Sequence, residues 1–380
     1  MVRRWNAAMW LRGLCLACAV ALCAGTCLAQ RLASKHIPNI QNGRILYAAG
    51  CVACHGGSGK GAPKTSTEFK RPSTFPDFTK CNQTTPETDE EWKAVIVHGG
   101  PARGFSTIMP SFSGVLSSDQ IDDLMAYLRE MCTNPSWPRG ELNLPRAMVT
   151  EKAFPEDELV LYTHDNANGP PHWTMHAIHE EVVSPRDQIE VDGPWKLQSM
   201  HHSMENHIGD MTFGLKHVMF ASMRTGTILS LQGGVIPPTG SKKLGGNGTT
   251  VFEPYAALDQ LFRTNTWIQF QMGADLPRHP NVTPQSMFYY TAIGQTWSPD
   301  HRLGSQWSPM VELLANRNLQ DGAKTDWDVL PELQVTLSPR QHIRADFGVR
   351  QPFTDTAGRK TQLEFYILWD WADGKFWEGW

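Results

Sequence analysis

Two cysteines three positions apart, with a histidine directly after the second, limit what the surrounding chain can become: Cys51-Val52-Ala53-Cys54-His55. This C-x-x-C-H pattern is the attachment motif of covalent haem. On a helix read from Ile40 to Gly50 and continued through the motif, Cys51, Cys54 and His55 fall on one face at i, i+3 and i+4. Two thioethers then clamp the porphyrin edge while the imidazole reaches the iron. The rival readings are a dithiol redox pair and half a zinc site. Zinc needs a second ligand pair at suitable spacing, and the sequence offers none. A redox dithiol has no need of the adjacent histidine.

The other cysteines divide the chain. Of eight, Cys15, Cys18, Cys23 and Cys27 lie in the first 29 residues, and Cys81 and Cys132 complete the set before residue 133. Residues 1–29 read as a secretory signal. Arg3, Arg4 and Arg12 form a basic start, an apolar run spans Gly13 to Leu28, and Cys27-Leu28-Ala29 is a small-residue cleavage pattern. The run is short for a spanning helix, which needs roughly 20 residues. Export agrees with haem attachment outside the cytoplasm. With 380 residues, two domains are expected. A net charge of -4 without a basic block gives no indication of nucleic acid.

A sixth iron ligand is expected downstream. Met109-Pro110 follows a glycine-rich loop (Gly99, Gly100, Gly104), and a loop methionine fixed by proline can present its thioether to the open iron face. His98 is the alternative. Met/His ligation gives a higher potential than bis-His and favours electron transfer over chemistry on a bound substrate. Ser117 or Ser118 caps a helix reaching about Met131, with Ile121, Leu124, Met125 and Leu128 on one face. Another helix is expected from Pro86 to His98, and Gly43 and Tyr47 are placed to pack on Tyr127 and Leu128.

On Gly43, Tyr47, the Cys51 to His55 motif, Met109-Pro110 and the final helix, residues 40–133 resemble a class I cytochrome c domain. The resemblance implies a small all-α electron carrier with one haem c. Cys81 and Cys132 are left over, and in an oxidising compartment they are expected to pair, tying the middle loop to the end of the last helix; two separate buried thiols are the alternative.

Residues 134–157, with Pro135, Pro138, Pro145 and Pro155, read as a semi-rigid linker. Beyond it, period-two patterns take over. Met211, Phe213 and Leu215 alternate with Asp210, Thr212, Gly214 and Lys216, and similar segments recur to about residue 371. Turn signals such as Asp321-Gly322 and Ser338-Pro339-Arg340 separate them. The expectation for residues 158–380 is an all-β antiparallel barrel of about 12 strands in the outer membrane, in contact with lipid. Aromatic residues near strand ends, including Trp267, Trp297, Trp307, Trp327, Trp369 and Trp371, fit interfacial girdles. The terminal Trp380 resembles the assembly signal of bacterial outer-membrane barrels. A soluble β domain is the competing reading.

The order of parts is similar to fused cytochrome–porin proteins of iron-oxidising bacteria, which implies a haem domain in or under the barrel. Residues 164–223 are rich in histidine and methionine. His172, His176, His179, His202, Met204 and His207 are weak candidates for a copper site, since copper accepts imidazole and thioether. No G-x-S-x-G, Walker loop or H-E-x-x-H is present. The sequence therefore predicts an electron carrier rather than a catalyst, with periplasmic redox proteins as partners. The alternatives are a haem-fed copper oxidoreductase and a transport barrel gated by the cytochrome domain.

Overall fold

The computed structural model describes residues 36–371, apart from 64–68, 73, 169–171, 201–202, 243–245, 263–264 and 299–305. The expected signal peptide, His202 and Trp380 lie outside the described residues.

The first domain is helical. Its α-helices are α1 (Ile40–Gly50), α2 (Val52–His55), α3 (Cys81–Thr84), α4 (Asp89–His98) and α5 (Ser118–Arg129). The expected helix through the motif breaks at Cys51, which caps α1 and precedes α2. The helix expected from Pro86 begins instead at Asp89. Glu91 accepts from the Thr88 amide there at 3.4 Å, which satisfies one orphan amide at the helix start. Ser117 and Gln120 form a full reciprocal capping box for α5, at 2.9 and 3.3 Å. Ile121, Leu124, Met125 and Leu128 are buried together with Tyr47, Phe78 and Ile96. The first and last helices cross at Gly43, where a Cβ would stand 1.9 Å from the Asp123 carbonyl oxygen. Only glycine permits that approach. Asp123 secures the crossing by accepting from the Asn39 amide and the Asn42 side chain, both at 2.6 Å.

The second domain is a closed antiparallel barrel. Its strands are β1 (Glu158–Asn166), β2 (His172–Ser184), β3 (Asp187–Met200), β4 (Ser203–Ile208), β5 (Thr212–Ser222), β6 (Thr227–Ile236), β7 (Val251–Leu261), β8 (Thr266–Pro277), β9 (Ser286–Gln295), β10 (Trp307–Asn318), β11 (Asp326–Thr336), β12 (Ile343–Pro352) and β13 (Gln362–Asp370). Each pairs with its sequence neighbour, and β1 closes on β13 with Glu158 opposite Asp370. β4 and β5 pair with successive parts of β3: Trp195 faces Ile208, and Asp192 faces Thr212. They are one barrel strand interrupted by a bulge around Gly209–Met211. Among the described residues the wall is therefore twelve strands, as the alternation implied.

The burial pattern is inverted relative to a water-soluble protein. Exposed positions include Leu161, Phe213, Leu215, Leu231, Phe252, Met272, Ile293, Phe347 and Ile367. Buried inward positions include Glu158, Glu180, Asp259, Gln269, Glu312, Glu332, Gln334 and Glu364. An apolar outer belt around a polar interior is the arrangement that lipid selects. It decides against a soluble β domain.

The segment expected to be a linker is a correction. Residues 142–157 are not a solvated spacer: they enter the lumen as a loop and fill it to mid-depth. Leu142, Ala153 and Phe154 are at most 1% exposed. Buried backbone polar groups need partners, and the inward side chains supply them. Glu312 accepts from the Val149 and Thr150 amides at 3.0 and 2.6 Å. Glu332 accepts from Met148, Gln271 from Glu151, Asp259 from Ala153 and Gln188 from Glu156. The Tyr366 hydroxyl and Gln334 amide donate to the Arg146 carbonyl at 2.6 and 3.1 Å. The Arg146 guanidinium binds Glu158 at 2.6 Å and Glu180 at 3.0 Å.

Removing Arg146 would strand Glu158 and Glu180 as buried charges. Such a loss costs about 3–5 kcal/mol. Arg146→Ala is expected to lower the temperature at which the unheated, fast-migrating barrel species disappears on a gel. An unchanged transition would show that the plug does not brace the wall.

Candidate functional site

In the helical domain, Cys54 and His55 amides both bond to the Cys51 carbonyl, at 3.2 and 2.9 Å. Their side chains are thereby held on the expected shared face. The His55 ring stacks on Phe75 at 5.0 Å and lies 5.1 Å from Phe78. Burial, with Arg71 nearby, lowers its pKa to about 4, so the imidazole is neutral at ordinary pH. Its Nδ1 is buried and has no partner among the described residues. Cys51 and Cys54 are free thiols, and burial, with Cys54 adding to it, pushes the Cys51 thiol up to about 11. A dithiol redox site needs a lowered pKa, so this environment fits a thioether anchor instead. Two unpaired cysteines, a neutral imidazole and an apolar wall together fit a covalently attached haem.

Met109 packs against the same apolar cluster that Cys51 and Phe78 border. Its carbonyl accepts from the Gly100 amide at 3.0 Å. Gly99, at φ +83°, lies so close that a Cβ would be 2.9 Å from that carbonyl. This glycine pair is what lets the methionine loop fold back on α4. His98 is the last residue of α4, immediately before that pair.

Cys81 and Cys132 form a disulfide. It ties α3 to the segment after α5. The bond spans 51 residues, for which loop closure gives about 4 kcal/mol. Cys81→Ala with Cys132→Ala is expected to cost about 2–4 kcal/mol. Denaturant titration of the helical domain's circular dichroism checks this, and an unchanged midpoint would refute it.

The helical domain is docked on one mouth of the barrel. Arg344 of β12 lies 3.7 Å from Glu91 of α4. Gln341, with its amide oriented to satisfy both neighbours, donates to Glu91 at 2.8 Å and accepts from Arg103 at 2.6 and 2.9 Å. The Arg340 guanidinium sits 5.4 Å from the Phe105 ring. This mouth carries the connections 185–186, 223–226, 262–265, 296–306 and 337–342, whereas 167–171, 237–250, 278–285, 319–325 and 353–361 lie at the other. The longest connection, 237–250, is at the far mouth, and longer loops mark the extracellular side of such barrels.

At the junction, Arg129 of α5 holds the tether. Its guanidinium meets Asp89 at 2.8 Å, Glu141 at 3.2 Å and the Glu87 carbonyl at 2.6 Å. It also lies over the Trp92 ring at 4.3 Å. Burial, with Asp89 adding repulsion against the pull of Arg129, pushes Glu141 up to about 7. Burial alone would raise Asp89, but Arg129, a hydrogen bond with Glu141, and Lys93 together hold it below the usual range. A cleft of about 720 Å³ opens beside this cluster, between the two domains.

The histidine and methionine candidates do not share one point. His172 and His176 face the lumen on either side of Thr174. Each lies near His164, at 6.4 and 6.0 Å between rings. His176 Nδ1 bonds Asp192 at 2.8 Å. His179 points outward and stacks on Trp371 at 5.7 Å. Met204 is exposed, and His207 lies 3.5 Å from Glu205 on the β3–β4 extension. Sequence reasoning missed His164 and the plug contacts. The signal for His164 was its inward parity with Glu158 and Tyr162. No local signal marked the plug.

Comparison with known proteins places a family on the helical domain. The family described as cytochrome c oxidase, cbb3-type, subunit III matches residues 38–128. Cytochrome c-555 of Prosthecochloris aestuarii is 35% identical over 92 residues, covering 24% of this chain and 85% of that protein. An outer membrane channel from Pseudomonas putida F1 aligns with 60% of this chain and 100% of its own, at TM-score 0.43 and 12% identity. The KdgM porin aligns with 56% of this chain and 99% of its own, at TM-score 0.41 and 8% identity.

Proposed function

The chain belongs, through residues 38–128, to the c-type cytochrome family, and on that premise we propose that it relays single electrons at the outer membrane from a haem domain fixed on the periplasmic mouth of a plugged barrel. Cys51 and Cys54 would hold the haem covalently, and His55 and Met109 would ligate its iron. The haem would supply a one-electron couple. Phe75, Phe78 and Trp92 would exclude water from it, and the His55 and Met109 ligands would set its potential.

The observation that carries the reading is the clamp between domains. A freely diffusing carrier needs no Glu91–Gln341–Arg103 contact, and an open pore does not fill its lumen with hydrogen-bonded chain. A gated transport barrel would have to withdraw this loop and leave Glu312 and Asp259 without the amides they accept from. The electron partners are a soluble redox protein on the periplasmic side and a donor or acceptor reached through the outer mouth.

Cell fractionation with a haem stain tests the location. The intact haem polypeptide is expected in the outer membrane, migrating faster when unheated. A soluble haem polypeptide without that shift would end the proposal. Met109→His tests the ligand set. It is expected to remove the long-wavelength ferric band of methionine ligation and to lower the midpoint potential. A band that survives would exclude Met109.

A further inference from the structure

We propose that Glu141, at the root of the plug, is a proton-exchanging group whose ionisation is linked to the oxidation state of the haem. The inference rests on the haem reading above and adds to it a coupling between the electron and the tether. The geometry is a run of contacts. The His55 ring lies 5.1 Å from Phe78, Phe78 lies 5.5 Å from Trp92, and Arg129 lies 4.3 Å from the Trp92 ring. Arg129 then contacts both Asp89 and Glu141. One guanidinium thus serves two carboxylates, so the fully ionised cluster keeps a net negative charge in a poorly solvated place. Such a pair favours holding one proton.

The other charges facing the cluster are Glu87 just before α4, Lys93 and Glu90 from α4, and Arg224 and Arg344 across the cleft. Lys93 is already committed to Asp122 at 2.7 Å, and Arg344 to Asp370 at 2.9 Å. The cleft gives water, and hence protons, access to Glu141.

The step balances simply. A one-electron donor reduces ferric to ferrous haem, and the Glu141 carboxylate takes one proton from water. The lost positive charge at iron is matched by a lost negative charge at the junction. Oxidation reverses both. The sign follows: Glu141 binds its proton more tightly in the reduced protein, so the midpoint potential falls as pH rises through neutrality. The ceiling is a tenfold change in the reduced-to-oxidised ratio per pH unit, about 59 mV for a one-electron couple.

The test is a redox titration of the full haem-loaded chain in detergent, from about pH 5 to about pH 9, read at the haem absorption bands. Wild type is expected to show the fall, and Glu141→Gln to show none. The two potentials should coincide in acid and separate in base, with the variant higher. Asp89→Asn serves if Glu141→Gln does not fold. It relieves the repulsion on Glu141 and should move the slope to lower pH. A flat wild-type profile would overturn the proposal. So would a slope that survives Glu141→Gln, which would belong to the carboxylates of the haem itself. A slope left in place by Asp89→Asn would do the same. A chain that carries no haem would have no potential to titrate, and that result would sink the function reading instead.

Discussion

The need of buried backbone groups for partners organises this molecule. A barrel in lipid turns its apolar side chains outward, which leaves the inside to polar ones. Here those polar side chains are neither solvated by a pore nor paired only among themselves. They accept from the amides of residues 148–156 and donate to carbonyls such as that of Arg146. Glu312 illustrates the dependence, taking two amides and the Thr150 hydroxyl on one carboxylate. Without the loop it would be a buried charge without partners, and without Glu312 the loop would hold orphan amides. Each half makes the other tolerable.

The same loop explains how the two domains come to be one object. Asn143 donates to the Pro86 carbonyl at 3.0 Å, and Glu141 meets Arg129 just before the chain enters the lumen. The helical domain is therefore held by its covalent tether, by the charged network at Glu91 and by the contents of the barrel. A haem held in that way keeps a fixed distance from the membrane. Its neighbours at the mouth, Arg340 and Phe105, lie close to the loop that carries Met109.

Much of this was legible in the sequence. The haem motif was, because its chemistry needs adjacent residues. The helices of the first domain were, because caps and apolar spacing are local. The strands were, because lipid on one face imposes strict alternation, and that pattern survives without knowledge of the partner strand. The bulge that splits β4 from β5 was not, since Gly209 has no distinctive neighbours in sequence. Nor was the plug. Pro145 and Pro155 made the segment look like a spacer, while its partners Gln188, Asp259, Gln271, Glu312 and Glu332 are scattered over more than 140 residues. The histidine-rich stretch misled in the opposite way. Density in sequence suggested one site, yet strand parity sends His176 inward and His179 outward.

The plug enters and leaves by the same mouth, with Asn143 and Asp157 both at the docked end. It is a loop pushed into a cylinder, not a strand threaded through one. The barrel can therefore close its β1–β13 seam before or after the loop is seated, and no strand pair has to open to admit it. The topology itself thus sets no order between finishing the haem domain and completing the wall.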